Sequence, residues 1–328
     1  MSWSERIQCI PSGARARYVG HVVAASKDRL HVVGLSAAIG DICALVGRDG
    51  TDMLAEVIAV EAPHTLILAA YGELSGTAVG QPVWWRSAAL EVPMGAGLLG
   101  RLMDALGVPL DKGSALHGIP YPAAFSRIAP LDRRAVSVPL WTGIKAIDGL
   151  LTIGEGQRLG IIARAGSGKT TLLQWMLANV HTDVIVMAMI GERGREVAEF
   201  YHQLDDSQRK RTVMVAETSD RPAISRLRAA YTAHAVARFF AEKGRKVVLA
   251  VDSLTRIALA AREVAMQAGE APVLHGYTPS VFQLLPPMIE QAGCFASGSV
   301  TAFYTVLLEE EEEMADPLAE AARGLLDG

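Results

Sequence analysis

The sequence predicts an α/β fold with a mostly parallel sheet, preceded by a small N-terminal β-barrel. From position 138 onward, short apolar runs alternate with longer helical patterns, which is typical of a parallel sheet covered by helices. Between positions 17 and 86, short β-branched stretches recur with glycine-containing turns between them, which favours a small barrel. The predicted parts of the chain are an N-terminal tail at 1–16, the β-barrel at 17–88, a linker that wraps onto the second domain at 89–137, and that second domain at 138–328.

The barrel strands follow from short apolar stretches bounded by turn residues. The clearest ones lie at 18–24, 29–35, 42–46 and 54–60. The segment after the barrel is rich in glycine and proline, which disfavour the interiors of helices and strands. It is therefore predicted to be a connection and not an element of its own.

The second domain contains a phosphate-binding loop. Residues 163–170 read A-R-A-G-S-G-K-T, after an apolar strand at 158–162 and before an apolar helical pattern. Small residues let backbone N–H groups converge on phosphate oxygens, and the helix N-terminus adds its positive dipole end. Lys169 can reach the β- and γ-phosphates, and the Thr170 hydroxyl can bind Mg²⁺. The predicted nucleotide-binding residues are Ala165, Gly166, Ser167, Gly168, Lys169, Thr170 and Thr171.

A candidate catalytic acid follows the next buried strand. The apolar run 183–190 leads directly into Gly191, Glu192 and Arg193. A carboxylate at the carboxyl end of a strand can orient an attacking water, so Glu192 is the predicted base. The alternative is a charged loop in which Glu192 only pairs with Arg193 and Arg195.

A second acid ends a later strand. Residues 246–252 form a continuous apolar run that closes on Asp252, at the strand end where ligands bind in parallel sheets. Asp252 is predicted to support Mg²⁺ through water, opposite Thr170. The alternative is that Asp252 caps the helix that follows Ser253. Further predicted elements are strands at 212–216 and 299–306 and helices at 223–243 and 317–326.

Composition limits the classes of function. Half of the 328 residues are apolar and the net charge is −4, which disfavours a general nucleic-acid surface. The three cysteines are scattered without metal-ligand spacing, which indicates reduced thiols. No apolar run reaches the length of a membrane span and no secretory signal is evident, so we expect a cytoplasmic protein with only peripheral membrane contact.

Several longer motifs resemble one family. They are G-R-L-M-D-A-L-G-V-P-L-D at 100–111, T-G-I-K-A-I-D-G-L-L-T-I-G-E-G-Q-R-L-G at 142–160, G-E-R-G-R-E-V at 191–197, T-S-D-R-P-A at 218–223, L-R-A-A-Y-T-A at 227–233, V-D-S-L-T-R at 251–256, G-Y-T-P-S-V-F at 276–282 and G-S-V-T-A-F-Y-T-V at 298–306. In order and spacing they resemble the ATPases of type III protein secretion, which include injectisome and flagellar export members. That family is related to the catalytic subunits of rotary ATP synthases.

The resemblance implies a RecA-like domain that hydrolyses ATP with Mg²⁺. It implies that Lys169 and Thr170 bind phosphate and metal, that Glu192 polarises water, that Arg193 contacts the γ-phosphate region and that Asp252 supports Mg²⁺. It also implies a homohexameric ring beneath the export gate, at the inner-membrane face of the secretion apparatus. The implied partners are the export gate, central-stalk and peripheral-stator proteins and chaperone–substrate complexes.

Departures from the family pattern shape the expected activity. His275 stands where the family has an arginine. In the family, the segment that corresponds to 326–328 leads into an adenine-packing segment, an arginine supplied to the neighbouring subunit and a helical C-terminal domain. For residues 1–328 alone, we expect weak ATP binding, slow hydrolysis and a largely monomeric state.

The form of the phosphate loop and the glutamates at 309–313 favour the injectisome type. The alternatives are a flagellar export ATPase, or in this form a catalytically impaired ring or binding subunit. An RNA-translocating ring is disfavoured because aromatic residues are few and the charge is slightly acidic.

Overall fold

The computed structural model describes residues 19–47, 50–164, 166–308 and 316–328. Three predictions lie outside these residues: the tail at 1–16, the phosphate contact of Ala165 and the glutamate run at 309–313. The chain divides into two compact units, Met1–Ala88 and Ala89–Gly328. Within the described ranges, no helix has both the length and the hydropathy needed to cross a membrane.

The first unit is a closed six-stranded barrel, as predicted. Its strands are β1 Val19–Ala25, β2 Arg29–Val33, β3 Ile42–Val46, β4 Asp52–Glu61, β5 Thr65–Ala70 and β6 Pro82–Ser87. They pair in the order β1-β2-β5-β4-β3-β6, and β6 pairs back onto β1. Alternate strand residues such as Val22, Leu30 and Val32 fill the interior, because successive side chains point to opposite faces.

The second unit is built on an eight-stranded, mostly parallel sheet. The strands of this sheet are β8 Leu102–Met103, β10 Arg133–Arg134, β11 Arg158–Arg164, β12 Val184–Glu192, β13 Thr212–Thr218, β14 Lys246–Asp252, β15 Gly293–Phe295 and β16 Ser299–Leu308. A separate two-stranded ribbon consists of β7 Glu91–Met94 and β9 Ile119–Pro122. The helices are α1 Lys169–Asn179, α2 Gly194–Gln203, α3 Asp206–Arg209, α4 Ala223–Glu242, α5 Leu254–Gln267, α6 Pro279–Ile289 and α7 Pro317–Leu325. These elements confirm the predicted fold class.

The parallel strands lie in the order β11-β16-β14-β12-β13-β8, with β15 and β10 beside the start of β16. Leu173 of α1 and Phe200 of α2 pack with Met187 of β12 in one apolar core. Helix α4 packs against β12, β13 and β14. The candidate functional residues lie at the carboxyl edge of this sheet. There β12 ends at Glu192, β14 ends at Asp252, and the loop between β11 and α1 begins.

The segment predicted as a linker, 89–137, contributes structure to the second unit. Its strand β8 pairs in parallel with β13, and β10 pairs with β15. The Phe125 ring stacks on Tyr231 of α4 at a centroid distance of 3.9 Å. The segment therefore acts as a strap across the second unit, held by backbone pairing and by aromatic contact.

Candidate nucleotide site

A cavity of about 430 Å³ opens at the carboxyl edge of the sheet. It is bounded by the turn after β11, the start of α1, the end of β12, the end of β14 and the first turns of α2 and α5. The residues that line it are Gly166, Gly168, Lys169, Thr170, Thr171, Glu192, Glu196, Asp252, Arg256 and Leu307. Three side chains that the sequence predicted from separate motifs, those of Lys169, Glu192 and Asp252, thus meet in one place.

The phosphate loop presents backbone donors. Gly168 is the N-cap of α1 with a left-handed backbone (φ 88°), a conformation that glycine adopts without the penalty a Cβ brings. The Leu172 N–H bonds the Gly168 carbonyl at 2.9 Å, so the regular helix bonding starts there. Since a helix leaves its first N–H groups without acceptors in the helix, those of Lys169, Thr170 and Thr171 are available to an anion at this end.

The Lys169 side chain lies folded over the loop. Its ammonium donates to the carbonyl oxygens of Ala163 at 2.9 Å and Arg164 at 2.6 Å. Ser167 donates its hydroxyl to the same Arg164 carbonyl at 2.7 Å and does not line the cavity. Burial lowers the pKa of Lys169, and the carboxylates of Asp252 and Glu192 oppose that shift. The ammonium is therefore held beside the cavity in a strongly polar setting.

Asp252 ends β14 and is 5 % exposed. Its Oδ1 accepts a 2.6 Å hydrogen bond from the Thr305 hydroxyl, and its Oδ2 lies 3.5 Å from the Thr170 hydroxyl. Burial raises the pKa of Asp252, while the bonds from Thr305 and Thr170 and the charge of Lys169 lower it. The alternative role is not observed, because the Ser253 hydroxyl caps α5 by accepting from the Arg256 N–H.

Glu192 ends β12, one strand further along the sheet. Burial, the nearby Asp252 carboxylate and the Glu196 carboxyl raise its pKa to about 7, and the Arg256 guanidinium opposes the shift. The alternative pairing with Arg195 is not observed, since Arg195 lies 3.4 Å from Glu199 instead. A carboxyl group with a pKa near neutrality is suited to accept a proton at neutral pH.

Arg256 reaches the cavity from the first turn of α5. Its Nε lies 3.8 Å from Glu192 Oε1, an ion-pair distance that is too long for a hydrogen bond. This close approach depends on Gly191, where an added Cβ would lie 3.1 Å from the Arg256 Cβ. The Arg256 Nε is buried without a hydrogen-bond partner among the described residues. Arg256 lines the cavity, and its positive charge suits a site that receives an anion.

Other placements differ from expectation. Arg193 starts α2 as its N-cap, with an exposed side chain that does not line the cavity, so its contact with the γ-phosphate region stays a prediction. Glu196 and Arg256 line the cavity, although neither was predicted from the sequence to have a role. The available signal was position: each lies in the first turn of the helix that directly follows a strand ending in a predicted acid.

The donor set fits Mg²⁺. A hydroxyl and a carboxylate face each other at Thr170 and Asp252, and hard oxygen donors of this kind suit that ion. In the described part of the chain, no group of three or more His, Cys, Asp or Glu side chains is arranged to hold a metal. Because Mg²⁺ bound with a nucleotide usually takes one or two protein ligands and keeps waters and phosphate oxygens, the sparse set is what such a site requires.

Comparison with known proteins agrees with this geometry. Residues 143–328 match the ATP synthase alpha/beta family, nucleotide-binding domain. The chain is 43 % identical to the Type 3 secretion system ATPase of Xanthomonas euvesicatoria, over 96 % of this chain and 72 % of that protein. It is 42 % identical to the Flagellum-specific ATP synthase of Treponema pallidum, over 95 % and 70 % respectively.

Solved structures give the same result. The assembled ATPase EscN from the type III secretion system of enteropathogenic E. coli superposes with a TM-score of 0.88 at 39 % identity, covering 94 % of this chain and 74 % of that one. EscN in complex with its central stalk EscO gives 0.85 at 38 %, with the same coverage of both chains. The predicted family is thereby confirmed: the chain belongs to the ATP-hydrolysing type III secretion and flagellar export ATPases, within the ATP synthase alpha/beta family.

Proposed function

We propose that this chain hydrolyses ATP to drive type III protein export, as an injectisome-type ATPase that releases chaperones from substrates and unfolds them at the export gate. The observation that carries the proposal is the convergence of Lys169, Glu192 and Asp252 on one cavity. A phosphate-binding lysine, a carboxyl group with a pKa near 7 and a buried metal-binding acid are the parts that nucleotide hydrolysis needs.

Binding begins at the phosphate loop. The first N–H groups of α1 receive the phosphate oxygens, and Lys169 exchanges its two loop carbonyls for the β- and γ-phosphates. That exchange is favourable because an ammonium bonds a charged oxygen more strongly than a neutral carbonyl. Gly166, Gly168 and Thr171 line the same end of the cavity.

Thr170 and Asp252 would hold Mg²⁺, which supplies charge neutralisation at the phosphates when bound. Glu192 in its ionised form accepts the proton of the attacking water. Arg256 stabilises that ionised form from 3.8 Å away. Arg193, at the start of α2, is proposed to reach the γ-phosphate when nucleotide is present.

The assembly and its partners are proposed from the relatives. EscN has been solved as an assembled ATPase and with its central stalk EscO. We propose that this chain likewise forms a homohexameric ring, with contacts to a central stalk, to peripheral-stator proteins and to the export gate. Such a ring would sit in the cytoplasm against the inner-membrane face of the apparatus, through its partners.

The injectisome assignment rests on the A-R-A-G-S-G-K-T loop and on the glutamates at 309–313. Relatives of both export systems match at 42 and 43 % identity, so the distinction needs a functional test. A Glu192→Gln substitution at the native locus should abolish secretion of effector proteins and leave swimming motility intact. A Glu199→Gln substitution, at an exposed position of the following helix α2, is the matched control.

Two results would contradict the proposal. Loss of motility with normal effector secretion would assign the chain to the flagellum. Normal secretion and normal motility in the Glu192→Gln strain would remove the export function itself.

A further inference from the structure

Asp252 is held by a buried hydroxyl from the neighbouring strand. In the parallel pairing of β14 with β16, Val251 is opposite Tyr304. The next positions, Asp252 and Thr305, therefore lie side by side with their side chains on the same face of the sheet. The Thr305 Oγ1 is 2.6 Å from Asp252 Oδ1, and Thr305 is fully buried.

The hydroxyl proton has one good acceptor. Thr305 Oγ1 also lies 3.4 Å from the Val251 carbonyl, at the far limit of hydrogen bonding. A single O–H forms its stronger bond with the shorter, charged acceptor, which is the Asp252 carboxylate. The β-branched side chain has few χ1 rotamers, so the hydroxyl keeps its direction.

Because of this bond, the two carboxylate oxygens of Asp252 have different partners. With Oδ1 held by Thr305, the plane of the carboxyl group is fixed and Oδ2 faces the Thr170 hydroxyl at 3.5 Å. Without that bond, Oδ1 would lose its hydrogen-bond donor and the carboxylate would be free to rotate, drawn by the positive charge of Lys169. A carboxylate that rotates presents its metal-binding oxygen for only part of the time.

We propose that Thr305 is a positioning residue that aims the Asp252 carboxylate at the Mg²⁺ that accompanies the nucleotide. The inference rests on the proposed function, because it requires that Asp252 and Thr170 bind Mg²⁺. Groups that orient metal ligands typically contribute 10- to 100-fold in metal affinity. Loss of the Thr305 hydroxyl should therefore reduce the increase in nucleotide affinity that Mg²⁺ produces. The affinity measured without Mg²⁺ should stay nearly unchanged.

The test compares nucleotide affinity with and without the ion. A fluorescent, non-hydrolysable ATP analogue is titrated into the chain in MgCl₂ and in EDTA, and the ratio of the two Kd values is the Mg²⁺ gain. Thr305→Val keeps the shape of the side chain and removes the hydroxyl, and Thr305→Ser keeps the hydroxyl. Thr301→Val is the matched control, because Thr301 is a buried threonine on the same strand whose hydroxyl bonds the Gly156 N–H far from the cavity.

Thr305→Val should lower the Mg²⁺ gain about 10-fold or more, with the Kd in EDTA changed by less than about 3-fold. Thr305→Ser and Thr301→Val should retain the wild-type gain. If thermal unfolding shows that Thr305→Val is not folded, Thr305→Ala carries the same expectation.

A wild-type gain in the valine variant would overturn the inference, as would a serine variant as impaired as the valine variant. A wild-type chain that binds the analogue equally in MgCl₂ and EDTA would instead overturn the proposed metal site, and this inference with it. The two failures are therefore distinguishable.

Discussion

Arg256 Nε lies 3.8 Å from Glu192 Oε1, and this pair joins the end of β12 to the first turn of α5. The two residues are 64 positions apart in the sequence. Burial alone favours the neutral form of Glu192, and the guanidinium beside it favours the ionised form. The balance places the carboxyl group near the pKa that a general base needs at neutral pH.

We expect the pH dependence of turnover to report Glu192. Because the ionised form accepts the proton, kcat/KM should rise with pH through about 7, the raised pKa of Glu192, and then level off. Glu192→Gln should remove this rise, lower kcat by roughly 10²- to 10⁴-fold and leave nucleotide affinity near normal. Glu199→Gln is the control. Lost binding with a normal residual rate would make Glu192 a structural residue.

Arg256→Met should move the same pH profile. The methionine keeps much of the apolar stem but removes the positive charge that lowers the pKa of Glu192. The rise in kcat/KM should therefore occur at a higher pH than in the wild type. A profile that stays in place, or that moves to lower pH, would show that Arg256 does not act on Glu192.

Lys169→Ala should abolish detectable ATP turnover. The ammonium is placed to stabilise negative charge on the γ-phosphoryl group, and loss of one such group typically lowers kcat by about 10²- to 10³-fold. Phosphate release with saturating MgATP measures the effect. Lys210→Ala, at an exposed position after α3, should keep the wild-type rate. Substantial activity in Lys169→Ala would remove the loop from the mechanism.

His234 should make the chain less stable in mild acid. Its Nδ1 donates to the Ala230 carbonyl at 2.7 Å, so the neutral ring accepts at Nε2 from the Tyr304 hydroxyl at 3.0 Å. Burial lowers the pKa of His234 from 6.5 to about 4. The folded state thus binds the proton more weakly than the unfolded state, and stability falls as the pH drops through this window, by about 3 kcal/mol in total.

The measurement is denaturant unfolding of wild type and His234→Gln between pH 7 and pH 4. Burial raises the pKa of Asp104 and Glu217, and their contributions have the opposite sign, so the difference between the two proteins is what reports His234. We expect that difference to shrink steadily as the pH falls. A difference that stays constant with pH would mean that His234 is not held neutral in the core.

Phe125→Ala should loosen the strap at 89–137. The Phe125 ring stacks on Tyr231 and meets the His234 ring edge-on at 5.4 Å. Because Phe125 is only half-buried, the expected loss is about 2 kcal/mol of unfolding free energy, below the range for a core phenylalanine. Leu131→Ala, in the same segment but 97 % exposed, should cost almost nothing. Equal stability of the two variants would show that the strap is not held by Phe125.

The sequence by itself determined the order of the elements and the family. Apolar runs led to Glu192 and Asp252, and the phosphate-loop motif, which ends in the first turn of α1, contained Lys169 and Thr170. In a parallel sheet, the carboxyl ends of the strands meet at one edge, so local patterns sufficed to predict that these residues lie near one another.

Only the tertiary structure decided which residues from distant parts of the chain contact each other. Thr305 with Asp252, Arg256 with Glu192 and Phe125 with Tyr231 each join distant parts of the chain through register and rotamer. The apolar runs of buried parallel strands resemble one another and carry no information about which strand lies beside which. The order β16-β14-β12-β13, and with it every contact between neighbouring strands, is set by packing over the whole domain.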